Sequence, residues 1–264
     1  MKKAKDIVGI LVVFLLTFCS CTNENVDQVQ VLLLKKIVEI SVDGSSNVTT
    51  LHYNGNKIVN IDKVDKLSKF YYTGDLITKI TELDNTTQHI NTLDYSYLEG
   101  QLVKITSSDN YVINYIHNKD NSVSYEKLTK DSNNLDVKID HGILYFQNEN
   151  LIKDDKTLDN AGEGILAKNT INLEYDTKNN ALKNILGFTK LLNYSTAISS
   201  NNEITRIENS SIKYIAEDQI ISDAKRIDSK YQYNSDSYPT EIVSQNILFG
   251  NAVSTHLKSQ LFYN

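Results

Sequence analysis

The stretch Leu51-His52-Tyr53-Asn54-Gly55-Asn56-Lys57-Ile58-Val59-Asn60-Ile61 decides the fold class of this chain of 264 residues. It joins an aromatic, β-favouring segment to an Ile/Val segment through Asn-Gly, the dipeptide most typical of a tight hairpin turn. Asn and Gly accept positive φ at little cost, so this turn closes in few residues. The stretch therefore predicts two antiparallel strands joined by a short turn.

The same unit recurs along the chain. Residues 51–61 align without a gap with 70–80 (FYYTGDLITKI) and more loosely with 95–105 (YSYLEGQLVKI). The aromatic anchors Tyr53, Tyr72, Tyr97 and Tyr115 lie 19, 25 and 18 residues apart. This spacing is about the length of two short strands with their turns. Repetition of this kind is typical of stacked supersecondary units that bury their apolar faces against one another.

Weaker copies continue towards the end of the chain and predict a single β-repeat domain over residues 31–264. We expect an all-β fold, an antiparallel meander of hairpin repeats that forms an open or curved sheet. Four repeat tyrosines should pack on the sheet faces, namely Tyr72, Tyr95, Tyr97 and Tyr233. Three glycines should lie in the turns between strands, namely Gly55, Gly74 and Gly100.

Two stretches interrupt the repeats. Lys153 to Gly164 (KDDKTLDNAGEG) is predicted to be a polar loop. Apolar residues at near-helical spacing predict one short helix within 180–194, although Gly187 disfavours it. Neither stretch indicates a second domain.

The first twenty residues have the organisation of a secretory signal. Lys2, Lys3 and Lys5 precede an unbroken apolar run from Ile7 to Phe18. This run has 12 residues, whereas a membrane-spanning helix needs roughly 20. Residues 1–20 are therefore expected to be a removable signal peptide.

The segment Cys19-Ser20-Cys21 resembles a lipobox, in which a small residue precedes the cysteine that becomes acylated. Ser20 suits that small position, so Cys21 is predicted to carry the lipid and to begin the mature chain. The register that ends at Cys19 is the alternative, although it places bulky Phe18 at the cleavage position. Residues 21–30 are polar and without a sustained pattern, and are predicted to tether the domain to the lipid.

The chain beyond the signal is acidic. Residues 1–20 contain three of the 27 Lys and Arg residues and one of the 33 Asp and Glu residues, which leaves 24 and 32 and a net charge of −8. Nucleic-acid binding requires Lys and Arg to neutralise phosphates, so no nucleic-acid partner is expected. No cysteine follows residue 21, so disulfides are not expected to hold the fold.

The repeat motif, aromatic-x-Tyr-x-Gly-Asp/Asn-x-Ile-x-x-Ile, resembles the YD or RHS-type repeat family, and residues 231–242 (YQYNSDSYPTEI) are similar to the same family. The succession of lipobox, 34–39 (LKKIVE), 54–58 (NGNKI) and 175–180 (YDTKNN) resembles Bacteroidetes-type lipoproteins built from such repeats. The resemblance implies a meander with tyrosines stacked along the sheet. The chain lacks the Asp-x-x-Gly-Arg turn of RHS repeats and has few arginines, so a toxin-enclosing shell is not implied.

Motifs for metal, nucleotide or nucleophilic chemistry are absent from the sequence. The histidines are scattered, with no HExxH and no cysteine beyond residue 21, so no metal site is predicted; they are His52, His89, His117, His141 and His256. No Gly-x-Ser-x-Gly elbow and no Gly-x-x-x-x-Gly-Lys-Ser/Thr loop occurs, so no cofactor is expected.

Carboxylates within 153–164 are the candidates for hydrolytic chemistry. A glycosidase needs two carboxyl groups at a set separation across a cleft. The sequence offers Asp154 with Asp155, or Asp159 with Glu163. Solvated loop acids are the simpler interpretation, so no catalytic residue is assigned.

The leading prediction is a non-enzymatic lipoprotein, exported and held in the cell envelope by its lipid, at the outer membrane. It would bind or scaffold a glycan, a peptide or an envelope protein, with ligand-binding residues not assigned. The alternative is a glycan-directed hydrolase that uses the carboxylates of the predicted loop.

Lipidation at Cys21 is testable by metabolic labelling with a fatty-acid probe. The wild-type chain should take up the label and Cys21→Ser should not, because the acyl chains that give stable anchoring attach there. Cys19→Ser is the matched control and should label normally. Label that survives in Cys21→Ser but disappears in Cys19→Ser would show that the alternative register is used.

Overall fold

The computed structural model describes residues 31–195, 197–247 and 256–264, and the predicted signal peptide, Cys21 and the tether lie outside them. One compact unit spans Leu32–Asn264. Its strands within the described residues are β1 Leu34–Ile40, β2 Ser46–Asn54, β3 Lys57–Asp62, β4 Lys66–Thr73, β5 Leu76–Asp84, β6 Ile90–Leu98, β7 Gln101–Ser107, β8 Tyr111–His117, β9 Val123–Lys130, β10 Asp136–Gln147, β11 Asn150–Leu158, β12 Ile165–Asn179, β13 Asn201–Tyr214, β14 Gln219–Tyr233, β15 Pro239–Ile247 and β16 His256–Tyr263.

Consecutive strands pair antiparallel, and β16 pairs with β1, so the sheet closes into a barrel. At this seam Ile37 lies opposite Leu261, and Leu33 N donates to Asn264 Oδ1 at 2.7 Å. The fold is all-β, as the sequence predicts. The open or curved sheet, and the YD or RHS-type architecture that the resemblance implied, are wrong. Closure joins residues 231 positions apart, and hairpin motifs contain no information about such a pairing.

A β-bulge near the start of several returning strands explains the Ile-x-x-Ile spacing. The register between β2 and β3 skips Val59, which is the extra residue. Because a bulge shifts the alternation of side chains by one position, Ile58 and Ile61 both face the interior although they are three residues apart. The same skip occurs at Thr78 in β5 and Val103 in β7. Bulges also increase local twist, which favours a curved and closed sheet.

Tyrosines beside these bulges connect neighbouring hairpins inside the barrel. Tyr97 Oη donates to Ile77 O at 2.8 Å, and Tyr175 Oη donates to Leu151 O at 2.7 Å. The same arrangement joins Tyr53 to Leu34, Tyr231 to Glu203 and Tyr263 to Pro239. Burial raises the pKa of Tyr175 to about 12, so this hydroxyl remains a donor at neutral pH. Main-chain acceptors thus satisfy phenols that would otherwise be costly to bury.

The tyrosines and glycines predicted from the repeats lie where expected. Tyr95 is 4% exposed inside the barrel, and the partly buried Tyr72 and Tyr97 pack against the same core. Tyr233 stacks on Tyr231 with ring centroids 5.9 Å apart. The three glycines have positive φ in the turns after β2, β4 and β6, namely Gly55, Gly74 and Gly100.

The connection from β12 to β13, described over residues 180–195 and 197–200, enters the barrel interior, and we call it the plug. The short helix predicted here is wrong, since Phe188–Lys190 form only a 3-10 turn. Gly187 has a φ of 73°, which interrupts helical geometry. Ile185, Phe188 and Leu191 are each at most 2% exposed. Their near-helical spacing therefore reflects burial of an irregular segment inside the barrel.

The predicted loop Lys153 to Gly164 is also partly wrong. Its first half belongs to β11, which ends at Leu158, and only the remainder is a connection. The error has a physical reason: polar side chains occupy both faces of this strand, so the sequence shows no alternation between apolar and polar residues.

The outer wall of the barrel is polar across its middle. One cross-strand row of residues crosses β7 to β12 on this wall: Lys104, Asn114, Glu126, His141, Thr157 and Lys168. Ion pairs join neighbouring strands on the same wall, such as Lys79 with Asp94 at 3.5 Å and Lys258 with Glu241 at 2.8 Å. The alternate residues of these strands face inward, among them the buried Ile105.

The contribution of the tyrosine contacts to stability is testable at Tyr97. Tyr97→Phe leaves Ile77 O without its 2.8 Å donor and should lower the free energy of unfolding by about 1 kcal/mol. Tyr97→Ala should lower it by about 3–5 kcal/mol, because a large buried ring is removed. Tyr71→Phe, on the outer wall, is the control and should be neutral within error. Equal effects of the two Phe substitutions in urea titrations would contradict the assigned role.

Candidate functional site

The plug fills the barrel at the end where the turns after the even-numbered strands lie. Phe188 packs edge-to-face on Phe70 of β4, with ring centroids 5.7 Å apart. Asn193 Nδ2 donates to Tyr95 Oη at 3.0 Å. Tyr194 Oη donates to Glu82 Oε1 at 3.0 Å. The plug is therefore held by strands β4 to β6 on the far side of the barrel from its own attachment.

Gly187 allows the plug to touch the barrel wall directly. Leu186 N donates to Asn56 O at 3.0 Å, and Leu186 O accepts from Tyr72 Oη at 3.0 Å. A Cβ atom at Gly187 would lie 2.6 Å from Asp75 O, closer than real contacts allow. Only glycine fits this place, because the position needs both positive φ and an absent side chain.

Beyond the plug the inner wall changes from apolar to charged. In the register of β9 with β10, inward Lys127 lies opposite inward Asp140. Along β11, Asp154 and Lys156 face inward while Asp155 between them faces outward. Two lysines and two aspartates thus alternate in sign over three neighbouring strands.

These charges line a cavity of about 340 Å³, which we call the β9–β11 cavity. Its apolar lining includes Leu144, Leu151 and Ile171, and the plug contributes Leu192 and Asn193. The volume lies within the range of small-molecule sites, which are about 300–1,000 Å³. An apolar surface with a few convergent polar groups is the usual composition of such sites.

Tyr125 spans the cavity wall from β9 to β11. Its Oη donates to Asp154 Oδ1 at 2.8 Å, and the ring passes over Gly142 of β10. A Cβ atom at Gly142 would lie 2.6 Å from Tyr125 Oη. Because Gly142 has no side chain, the Tyr125 phenol can cross β10 and orient the carboxylate of Asp154 on β11.

The remaining charges of the β9–β11 cavity form no direct ion pair among the described residues, although Lys127 and Lys156 act electrostatically on Asp140. In the described part of the chain, neither Asp140 nor Lys156 makes a side-chain hydrogen bond or an ion pair within 4.0 Å. Lys127 Nζ lies 4.1 Å from the centre of the Tyr111 ring. Burial raises the pKa of Asp140 and of Asp154 above the usual value. The folded protein therefore maintains partly desolvated charges of both signs that act on one another without forming a direct ion pair in the described part of the chain.

A second cavity, of about 440 Å³, lies against β13 to β16, and we call it the β13–β16 cavity. Its cation is already paired: Arg206 Nε donates to Glu203 Oε1 at 2.9 Å, and Arg206 Nη1 donates to Glu208 Oε1 at 3.4 Å. Ser195 of the plug lines both cavities. The two cavities are thus neighbours, but of the two only the β9–β11 cavity presents charges of both signs that form no direct ion pair within the described residues.

The carboxylates predicted for hydrolysis do not converge. Asp154 faces inward, whereas Asp155 on the outer wall binds Lys153 Nζ at 3.0 Å and Thr170 Oγ1 at 2.9 Å. Asp159 Oδ2 accepts from His141 Nδ1 at 2.7 Å, and Glu163 is exposed in the β11–β12 connection. Neither predicted pair faces across a cleft.

Sequence reasoning missed Lys127, Asp140, Gly142 and Lys156. The available signal was a strand that is polar on both faces, from Lys153 to Thr157, within a chain of otherwise apolar-faced hairpins. Such a strand indicates a hydrated interior, since an inner wall that packs only against apolar groups would not keep charges there.

The described histidines are separate from one another. His89 pairs with Asp109 at 2.8 Å, and His117 Nε2 contacts Leu102 O at 2.9 Å. Among the described residues no cluster of three or more His, Cys, Asp or Glu is placed to hold a metal ion. No helix in the described ranges is long and apolar enough to cross a membrane.

Solved structures share this architecture. A porin-like protein from Bacteroides vulgatus matches with a TM-score of 0.55 and 14% identity, over 88% of this chain and 98% of that chain. The chain has a porin-like barrel fold. A porin-like protein from Bacteroides uniformis matches with a TM-score of 0.51 and 11% identity, over 88% and 96% of the two chains. No protein-family model and no curated protein matches the sequence.

The porin-like barrel corrects the resemblance to YD or RHS-type repeats, for which the comparisons give no support. The repeated hairpins are successive strand pairs of one closed barrel. Identities of 14% and 11% establish the fold alone.

The fit of the plug is testable at Gly187. Gly187→Ala should destabilise the porin-like barrel because the new Cβ meets Asp75 O at 2.6 Å. Gly44→Ala is the matched control, since Gly44 also has positive φ but nothing lies within 4 Å of its Cβ position. The loss of unfolding free energy at Gly187 should exceed that at Gly44 by about 1–3 kcal/mol. Equal losses of unfolding free energy in denaturant titrations would mean that the plug does not contact the wall closely at Gly187.

Proposed function

We propose that this chain is a lipid-anchored envelope protein whose barrel is surrounded by water and binds small solutes, and that it is not a pore across the bilayer. The observation that carries this proposal is the polar outer wall. A spanning barrel needs an apolar outer band about 25 Å tall, and each Lys or Arg facing lipid at mid-bilayer costs about 2–4 kcal/mol. The row from Lys104 to Lys168 places a polar or charged side chain on the outer wall of six successive strands, which such a band does not tolerate.

The distribution of apolar residues supports the same proposal. In a spanning barrel the lipid-facing side chains are apolar and the lumen is polar. Here the buried apolar side chains face inward, as Ile80 and Ile105 do, both 0% exposed. The plug packs against these inward side chains, so part of the interior is a packed core. This arrangement suits a barrel that folds and remains in water.

Lipid attachment at Cys21 provides the link to the membrane in this proposal. Twelve residues separate Cys21 from Leu34, where β1 begins. An extended chain covers at most about 3.3–3.6 Å per residue, so this segment allows roughly 40 Å between the lipid and the barrel. Attachment through two or more acyl chains would hold the protein stably while the barrel stays outside the bilayer.

A hydrolase is not proposed. The carboxylates that suggested it face opposite sides of the wall, with Asp154 inside and Asp155 outside. The two cavities, by contrast, have the volume and lining of binding sites.

Detergent phase partitioning of the full chain, exported by its own signal, tests the proposal. Wild type should enter the detergent-rich phase through its acyl chains. Cys21→Ser should move to the aqueous phase as a folded β-sheet protein, because the outer wall prefers water. Cys19→Ser should behave as wild type. A Cys21→Ser protein that still partitions with detergent, or that forms conducting channels in planar bilayers, would contradict a water-surrounded barrel.

A further inference from the structure

The β9–β11 cavity has balanced charge. Lys127 and Lys156 offset Asp140 and Asp154, and all four line the same space of about 340 Å³. A ligand with a single charge would add a net charge to this balanced set, whereas a ligand with both charges can place each of them beside an opposite charge. Leaving a desolvated charge without a partner is costly, so the lining favours a ligand that carries both signs.

The cavity also has an apolar surface beside the charges. Leu144, Leu151 and Ile171 supply it from β10, β11 and β12. A free sugar, which has hydroxyl groups on every side, would bury many of them against this surface without hydrogen-bond partners. An apolar side chain of a few carbon atoms fits it.

One of the two carboxylates, that of Asp154, is already oriented. Tyr125 Oη holds Asp154 Oδ1 at 2.8 Å, which leaves the other carboxylate oxygen for a ligand. Asp140 accepts no side-chain hydrogen bond within the described residues. Preorganised groups lose less freedom on binding, so they favour affinity.

Both carboxylates oppose folding when they are ionised. Burial raises the pKa of Asp154 and of Asp140, so each folded-state pKa lies above its unfolded value. The ionised forms present at neutral pH are therefore less favourable in the folded protein than in the unfolded chain. Carboxylates that are held partly buried although their ionised forms oppose folding are typical of a functional site.

We propose that the β9–β11 cavity binds a free α-amino acid with an apolar side chain. Its ammonium group lies at Asp154 and Asp140, its carboxylate at Lys127 and Lys156, and its side chain against the apolar surface. The proposal rests on the proposed function, because the ligand reaches the cavity from the water around the barrel. The β13–β16 cavity is not assigned this role, since Glu203 and Glu208 already neutralise Arg206.

The probe is L-leucine, titrated calorimetrically into the purified, lipidated full chain in mild detergent. We expect saturable binding of one equivalent. The analogues 3-methylbutylamine and 4-methylpentanoate each keep the side chain and one charge. Each should bind at least about tenfold more weakly, because each forfeits charge-assisted hydrogen bonds. Equal binding of either analogue would overturn the assignment to a zwitterion.

Neighbouring residues of β11 provide matched controls. Asp154→Asn and Lys156→Met should each weaken L-leucine binding at least about tenfold. Asp155→Asn and Lys153→Met remove the same chemical groups from the positions on either side of Asp154, on the outer wall. These two changes should leave the affinity for L-leucine unchanged. Asp154→Asn should keep or raise the melting temperature, because it removes a carboxylate whose ionised form opposes folding. Binding lost in a stable Asp154→Asn protein therefore supports the site and excludes misfolding.

Other outcomes distinguish a failure of the amino-acid site from a failure of the water-surrounded barrel. No heat of L-leucine binding at millimolar concentration, with Cys21→Ser in the aqueous phase, would overturn the amino-acid site and leave the water-surrounded barrel intact. Binding of glucose or succinate that is lost in Asp154→Asn would show a different ligand class. L-leucine binding that survives both Asp154→Asn and Lys156→Met would show that another cavity is used.

Discussion

The interior of a barrel with this many strands is too wide for its wall to fill. About eight strands leave a lumen that side chains just occupy, whereas roughly sixteen to eighteen leave an aqueous channel. The plug meets this constraint by bringing Phe188 and Leu191 against inward residues such as Phe70, Ile77 and Ile80. Each such side chain contributes about 1.5–3 kcal/mol when it leaves water. The packing of the barrel core around Phe70, Ile77 and Ile80 therefore depends on one connection between two strands.

The extent of the plug also decides where a ligand has room. The plug contacts β4 to β6 closely and is joined to β11 and β12 through Ser199, which accepts from Leu151 N and donates to Tyr175 Oη. Between these contacts Leu192 and Asn193 line the cavity beside β9 to β12. The inner wall becomes charged at the same place, with Lys127 and Asp140 opposite each other. The polar outer wall permits this arrangement, since a barrel surrounded by water does not need its lumen for conduction. Ligand binding and core packing thus occupy different parts of the barrel interior.

The sequence reveals local pairing well and long-range closure poorly. The Asn-Gly turn at Gly55 predicts its hairpin, because the turn and both strands are neighbours in the chain. The three-residue spacing of Ile58 and Ile61 was visible, but only the bulge explains it. The charged cavity was hidden because Asp154 and Asp155 are adjacent and chemically identical. Which of them faces inward depends on the register with β10 and β12, which is fixed only when the whole sheet forms.

The plug has a consequence for the order in which the barrel assembles. The seam joins residues 231 positions apart, and closing so long a loop is entropically unfavourable and slow. Plug contacts span about half that distance, with Tyr72 and Leu186 separated by 114 positions and Glu82 and Tyr194 by 112. Once these contacts form, the middle of the chain is held against the first hairpins. The loop that must then close to pair the last strands with β1 is effectively shorter. The segment that fills the lumen thereby also serves as an internal template for closing the ring.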